Sequence, residues 1–339
     1  MTSVKEFRVA DAATENRLGA GRFVFTDAYS VFDWGKMPDQ IPGKGASLCL
    51  MGAANFERLE AAGIPTHYRG VETDTGIAPL ESAGSPPTEM AIDLAQVPEL
   101  PYAGSTYDYD TYHGATGDNY LIPLEIVFRN SVPIGSSLRR RRSPGDVGLD
   151  EDEWPESRVD LPEPVIEFST KYEQQDRYLD RETAARVAGA ADLEVLTDLA
   201  REVNRVVSEA ATEAGFSHED GKIECLYHDG TVKVADVVGT FDENRFGYDG
   251  QEVSKEVLRQ HYKREHSEWV NAVADAKRQI EHRDTADWRP LCDITPMSLS
   301  PDAIEIAADL YTAGANTYTN RDWFDAPSID NAVEATQQL

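Results

Sequence analysis

The chain has 339 residues and 40% hydrophobic content, which suffices for two domains or for one two-lobed unit around a cleft. Its formal net charge of −29 makes duplex nucleic acid, itself a polyanion, an unfavourable partner over most of the surface. No run approaches the roughly 18 to 20 apolar residues of a membrane span, and the initial MTSVKEFRVADAATENR lacks the apolar centre of a signal peptide, so the cytoplasm is the expected location.

Arg22 to Ala28, RFVFTDA, reads as an apolar strand ending at a polar site. The glycines and prolines between Val31 and Gly45 then predict an irregular loop. Leu48, Leu50, Met51, Phe56 and Leu59 predict a helix over Ala46 to Ala62, which Gly63 stops before a further strand. Residues 80 to 118 are rich in Gly, Pro, Ser, Thr and Tyr and read as a loop-bearing link, after which LIPLEIVFRN returns to strand. Residues 139 to 163 carry a basic run, Arg139 to Arg142, beside an acidic one and read as a long surface excursion. Leu193, Leu196, Leu199, Val203, Val206 and Val207 predict one amphipathic helix over Glu182 to Gly215, packed across the sheet that follows. Helices are expected over 255 to 282 and 301 to 313, with a loosely held polar tail after Thr319.

Within DGKIECLYHDGTVKVAD, Asp220, Lys222 and Glu224 alternate onto one face of a strand. A two-residue turn at Asp229 and Gly230 sends Asp236 to the opposite face, whereas a three-residue loop beginning at His228 keeps it beside Glu224. Carboxylates gathered around a lysine suit a magnesium ion bridging nucleotide phosphates, because Mg2+ takes one or two carboxylates and keeps several waters. A solvated hairpin with a surface salt bridge fits the same alternation.

Lys44 in DQIPGKG offers either a cradle for a phosphate or carboxylate, or a plain tight turn. Arg129 followed by Gly135 and Ser136 in RNSVPIGSS can present guanidinium, hydroxyl and backbone donors to one phosphate, or form a structural turn. Lys171 stands after two hydroxyl residues with the same two readings. His261 and Glu265 are one helical turn apart without a third metal ligand. Cys49, Cys225 and Cys292 are too few and too scattered for a disulfide framework or a zinc site, and no Ser-His-Asp order supports nucleophilic hydrolysis. The acidic excess is spread along the chain. That pattern points to a halophilic cytoplasm, since molar salt shortens the Debye length to about 3 Å; docking of a basic partner would concentrate the charge in one patch.

Read in order, FTDAYSVFD with DQIPGKG, GIPTHYRGV, LEIVFRN with GSS, LPEPVIEFSTKYE, DGKIE, ADVVGTFDENRF and SKEVLRQ resemble the SAICAR synthetase family of purine biosynthesis, in a haloarchaeal form. The resemblance covers roughly residues 20 to 260. It implies an α+β, two-lobed fold with antiparallel sheets and an ATP cleft between lobes: residues 1 to 123 as an ATP-binding lobe, 124 to 300 as a larger substrate and metal lobe, and 301 to 339 as a carboxy-terminal helix and tail.

The implied reaction is ATP-dependent ligation of carboxyaminoimidazole ribonucleotide to L-aspartate through an acyl phosphate. Partners are then these small molecules, without nucleic acid or membrane, in a protein free to form a homo-oligomer. The resemblance assigns Glu224 and Asp236 to Mg2+, Asp220 and Lys222 to the reacting centre, and Arg129, Ser136, Arg245 and Arg259 to substrate. Lys44, Glu125 and Lys171 are assigned to ATP. Four places depart from the family pattern: Ala28 for an arginine, Val237 for a second acid, Glu243 with Asn244 for small hydroxyl residues, and a more polar FSHE at Phe216 to Glu219. A related carboxylate-amine ligase with another substrate, or an inactive acidic binding protein, are the competing readings; the intact Asp220, Lys222, Glu224 and Asp236 set favours an enzyme.

Overall fold

Five strands build the first sheet: β1 (Lys5–Asp11), β2 (Gly19–Phe25), β3 (Tyr68–Thr73), β4 (Gly76–Ala78) and β5 (Glu89–Leu94), all antiparallel, in the order β1-β2-β5-β3-β4. The computed structural model describes residues 4–102, 106–173, 177–280 and 287–339. Alternation in β2 aims Phe23 and Phe25 at the core, where the helix α1 (Lys44–Ala61) covers the sheet. The glycine-rich and proline-rich region 80 to 118 is more than a link. It contributes β5, the middle strand, because the apolar Met90, Ala91, Ile92 and Leu94 are buried between β2 and β3.

The second sheet comprises β6 (Asn119–Leu121), β7 (Leu124–Val132), β8 (Val159–Thr170), β9 (Tyr178–Leu179), β10 (Ser217–His228), β11 (Thr231–Ala235), β12 (Asn244–Tyr248) and β13 (Gln251–Glu252). Its order is β13-β12-β10-β7-β8-β9, with β6 and β11 flanking the far half of β10. Thus β10 changes partners midway. Ser217 to Gly221 pair with β12, while Glu224 to His228 pair with β11. The chain between, Asp236 to Glu243, leaves the edge opposite Lys222 and Ile223, and the opening becomes the site described below. The two sheets are joined where Thr66 bridges Val234 and the His67 N–H donates to the Val234 carbonyl at 2.9 Å.

Short helices α2 (Tyr109–Gly114) and α3 (Leu138–Arg141) precede the longer α4 (Arg181–Ala188) and α5 (Leu193–Glu213), which replace the single helix expected there. Gly189, at φ 72°, ends α4, and the Asp192 carboxylate caps α5 by accepting from Glu194 N. As expected, α5 packs on the sheet through β10 and β7. The helix expected over 255 to 282 is likewise two, α6 (Glu256–Glu265) and α7 (Ser267–Ile280), broken at His266 with φ −132°; its last two residues lie outside the described ones.

The helix beginning at Pro301 runs past Ala313 as α8 (Pro301–Thr319), because Tyr311, Gly314 and Tyr318 continue its buried face against α1 and Phe241. The tail is not loosely held. It forms α9 (Ile329–Thr336), whose Ile329, Ala332 and Val333 are buried on α8, and Leu339 is buried behind it. The excursion from 139 to 163 folds over a small separate core, in which its Val147 and Trp154 pack with Val132 at the end of β7 and with Leu138. Among the described residues, no helix is long and apolar enough to cross a membrane.

Candidate active site

A cavity of about 500 Å³ opens beside the middle of β10, lined by Ser30 and Asp33 from the loop after β2, by Glu125 and Arg129 of β7, and by Asp220 and Lys222 of β10. Arg245, Lys255 and Arg259 close its other side. Its walls are mostly charged.

Asp220 and Arg129 are register partners on neighbouring strands, so their side chains share a face. Arg129 is 8% exposed, and each of its three nitrogens makes one hydrogen bond, which leaves two N–H groups for a ligand. Its Nε donates to Glu167 at 3.1 Å, its Nη1 to Asp220 Oδ2 at 3.2 Å, and its Nη2 to the Tyr178 hydroxyl at 2.9 Å. Arg245 reaches the same Asp220 oxygen at 3.3 Å. Two guanidiniums therefore flank one carboxylate. Arg259 lines the cavity and pairs with Glu256 at 3.2 Å. Lys222 binds Glu125 at 2.5 Å and lies 3.7 Å from Glu243. Burial opposes its charge, but Glu243, Glu125 and Glu224 outweigh that penalty and hold it protonated.

Next to this cavity, the hairpin expected to gather Glu224 and Asp236 does so by a route the sequence did not suggest. The turn has two residues, Asp229 (φ 46°) and Gly230 (φ 78°), with His228 paired to Thr231. That register alone would turn Asp236 away. Asp236 instead adopts φ 61°, immediately after β11 ends, and its carboxylate swings back beside Glu224. His67 fixes this conformation: its Nε2 donates to the Asp236 carbonyl at 2.9 Å. Burial, with a smaller opposing pull from that carbonyl, lowers the imidazole to about 4, so it is neutral.

Lys171 forms an ion pair with Glu224, and Lys5 of β1 forms one with Asp236. Burial and the neighbouring Asp236 push Glu224 up to about 7. For Asp236 burial acts in the same direction, yet Lys5 and Lys171 prevail and hold it well below the usual carboxylate range. Among the described residues, no group of three or more His, Cys, Asp or Glu is arranged to hold a metal ion. Two acceptor-only carboxylates, each balanced by a lysine, do suit a hard divalent ion that takes its remaining ligands from phosphate and water.

Two expected binders lie elsewhere. Gly43, at φ 78°, starts α1, and Lys44 enters it fully buried, donating to Asp242 at 2.7 Å; it is Asp242 that lines the cavity. Two of the GKG amides are engaged as well, Lys44 N with the Ile41 carbonyl and Gly45 N with Asp27. Ser136 is buried in the turn before α3, where its hydroxyl accepts from Leu138 N at 3.3 Å, and it does not line the cavity. His261 Nδ1 donates to the Leu339 carbonyl at 2.8 Å rather than pairing with Glu265.

Sequence reasoning missed Glu167, Tyr178, His67 and Asp242. Each acts through a partner far along the chain. His67, Glu167 and Asp242 did carry a signal, since they stand inside the GIPTHYRGV, LPEPVIEFSTKYE and ADVVGTFDENRF blocks; Tyr178 stands in none of them. Two departures from the family pattern prove to be partners: Asn244 Nδ2 donates to His218 Nε2 at 2.8 Å, and Asn244 Oδ1 accepts from Gly239 N at 2.9 Å, tying the loop after Asp236 to β10. Val237 is buried against Gly52 of α1, and Ala28 is buried beside the loop before α1.

The SAICAR synthetase family model matches residues 13–276, a span containing most of the cavity lining and both hairpin carboxylates. A chain from Archaeoglobus fulgidus, provisionally named a phosphoribosylaminoimidazole-succinocarboxamide synthase, is 39% identical over 347 aligned positions, covering 100% of this chain and 99% of its own. A phosphoribosylaminoimidazole-succinocarboxamide synthase of Thermoplasma acidophilum is 29% identical, covering 89% and 93% respectively. The fold is similar to that of the SAICAR synthase of Saccharomyces cerevisiae solved in complex with SAICAR, with a TM-score of 0.63 at 20% identity over 95% of this chain and 94% of that one. With that span of sequence matched and the antiparallel α+β architecture shared, this chain belongs to the SAICAR synthetase family.

Proposed function

We propose that the cavity beside β10 performs the family's reaction, the ATP-dependent joining of carboxyaminoimidazole ribonucleotide to L-aspartate. The chain is a ligase of purine biosynthesis that uses ATP as co-substrate. The observation that carries the assignment of residues is the pair of guanidiniums, Arg129 and Arg245, on one oxygen of Asp220, beside the protonated Lys222. Every substrate is an anion, and these cationic side chains offer it local positive charge in a strongly acidic protein.

A carboxylate is a poor electrophile. Transfer of the terminal phosphoryl group of ATP to one of its oxygens forms an acyl phosphate and ADP. The aspartate amine then makes the C–N bond, loses a proton, and phosphate departs with the broken C–O bond. Lys222 neutralises the reacting carboxylate and Asp220 orients the two arginines; Arg129, Arg245 and Arg259 hold the substrate's phosphate and carboxylates. Glu125 fixes Lys222. Lys171, and with it Lys5, turns from its carboxylate toward the nucleotide phosphates.

Glu224 and Asp236 would hold a magnesium ion, which would supply neutralisation of the nucleotide's negative charge. Lys44 and Ser136 serve by position, the former anchoring Asp242 and the latter the turn after β7. The distributed acidic excess supports work in a salt-rich cytoplasm.

Coupled ADP release in molar KCl, with ATP, magnesium, aspartate and the ribonucleotide omitted in turn, tests the assignment. Release that needs every component is expected. Release independent of the ribonucleotide or of aspartate would assign the cavity to another carboxylate or amine.

A further inference from the structure

The polar strand entry FSHE departs from the family pattern, and the proposed reaction gives none of its side chains a role. His218 is engaged by Asn244 and Ser208. Glu219 has a different surrounding. On β10, His218 pairs with Phe246 and Asp220 with Arg245, which leaves Glu219 as the extra residue of a β-bulge. A bulge re-aims a side chain that strict alternation would send to the other face. Gly247, two positions along β12 from Arg245, is the register partner of Glu252, and a Cβ on it would stand 3.2 Å from Glu219 Oε1. In the space this glycine leaves, the carboxyl groups of Glu219 and Glu252 come within hydrogen-bonding reach of each other.

Glu219 is 3% exposed, and its Oε1 accepts from Arg158. Oε2 of Glu219 and Oε2 of Glu252 are both buried and have no donor. Two bare carboxylate oxygens facing one another in a buried space repel, whereas a single proton between them makes a hydrogen bond. Burial first, and then the neighbouring carboxylate, push Glu252 up to about 8, and burial raises Glu219 as well. The charged groups that face the pair are Arg158 ahead of β8, Asp220 on β10, Arg245 on β12 and Glu256 on α6.

We infer that Glu219 and Glu252 share one proton and, as a singly charged pair, keep Arg245 on Asp220, which makes Glu252 a positioning residue for the guanidinium that meets the substrate. Arg158 answers the single charge of the pair, so Arg245 is left to Asp220 and to the incoming anion. When the proton leaves, a second negative charge beside Arg245 draws it back from both. This inference rests on the reading of Arg245 as a substrate-binding group.

The test combines KM and kcat against pH for the unaltered enzyme, Glu252→Gln, Glu252→Ala and Arg245→Ala with an infrared difference spectrum of the unaltered enzyme minus Glu252→Gln. For the unaltered enzyme, KM for the ribonucleotide should rise about tenfold per pH unit above about pH 8, with kcat nearly constant. Glu252→Gln, whose amide imitates the protonated acid, should keep the neutral-pH KM within about twofold and flatten that rise. Glu252→Ala should raise KM already at neutral pH. The difference spectrum should contain the carbonyl band of a protonated carboxylic acid.

No such band, or a Glu252→Gln profile that superimposes on that of the unaltered enzyme, overturns the shared proton. If Arg245→Ala raises KM and neither Glu252 variant changes it, the positioning role falls. If Arg245→Ala also leaves KM unmoved, the reading of Arg245 itself falls.

Discussion

The proposed reaction places two demands on Glu224: it pairs with Lys171 in this structure, and it would offer oxygens to a cation when the nucleotide arrives. Glu224→Gln keeps the shape and removes the charge. Turnover should fall by at least about 100-fold, and titration calorimetry should lose the magnesium-dependent part of ATP affinity. Unchanged calorimetric traces with and without magnesium, relative to the native residue, would remove Glu224 from that role. His218 supplies a second test. Burial lowers its folded pKa to about 3, against an ordinary value near 6.5 in the unfolded chain. The unfolded chain therefore takes up a proton that the folded chain refuses. Stability present above pH 6.5 is lost as pH falls toward 3, by up to about 1.4 kcal/mol per pH unit from this group. Urea midpoints across that window should fall less steeply for His218→Gln.

At this scale the alternating Asp220, Lys222 and Glu224 were legible because strand periodicity is local. The return of Asp236 was not. It depends on one left-handed residue and on His67, which arrives from the other sheet. Tyr178, which helps orient Arg129, was invisible for the same reason, and Glu167, although inside the LPEPVIEFSTKYE block, showed nothing of its pairing with Arg129, because that partner lies on another strand.

Elements were legible where an apolar period was long and uninterrupted. Helix α1 and strands β2 and β7 stand within a few residues of their expected positions. The breaks at Gly189 and His266 were harder to read, because a single interruption inside a good amphipathic pattern is outweighed by the pattern on both sides. β5 was hidden by flanking proline and glycine. The extension of α8 depends on tertiary contact. A Cβ on Gly314 would lie 2.3 Å from Phe241 Cε2, so the helix lies directly against the loop that follows Asp236. Gly314→Ala should cost about 1–3 kcal/mol in denaturant unfolding through overpacking. A neutral result would mean that Phe241 has another rotamer available.

Across the whole molecule, charge is the dominant variable. With a formal net charge of −29, self-repulsion should lower the thermal midpoint in dilute buffer and be screened in molar KCl. The midpoint should rise steadily with KCl, and activity with it; a midpoint highest in salt-free buffer would contradict the halophilic reading. Composition alone motivates this expectation, whereas the cations that line the cavity were legible only through the order of the motifs that carry them.

The ion pair between Lys5 and Asp236 joins positions 231 residues apart. Contacts of such long range form late, since the intervening chain must first give up its loop entropy. On a ribosome, the first strand therefore waits through most of translation before meeting the carboxylate it neutralises. Competence to bind nucleotide should thus be the last property acquired in refolding, appearing after the helical signal has recovered and reporting on completion of the native state.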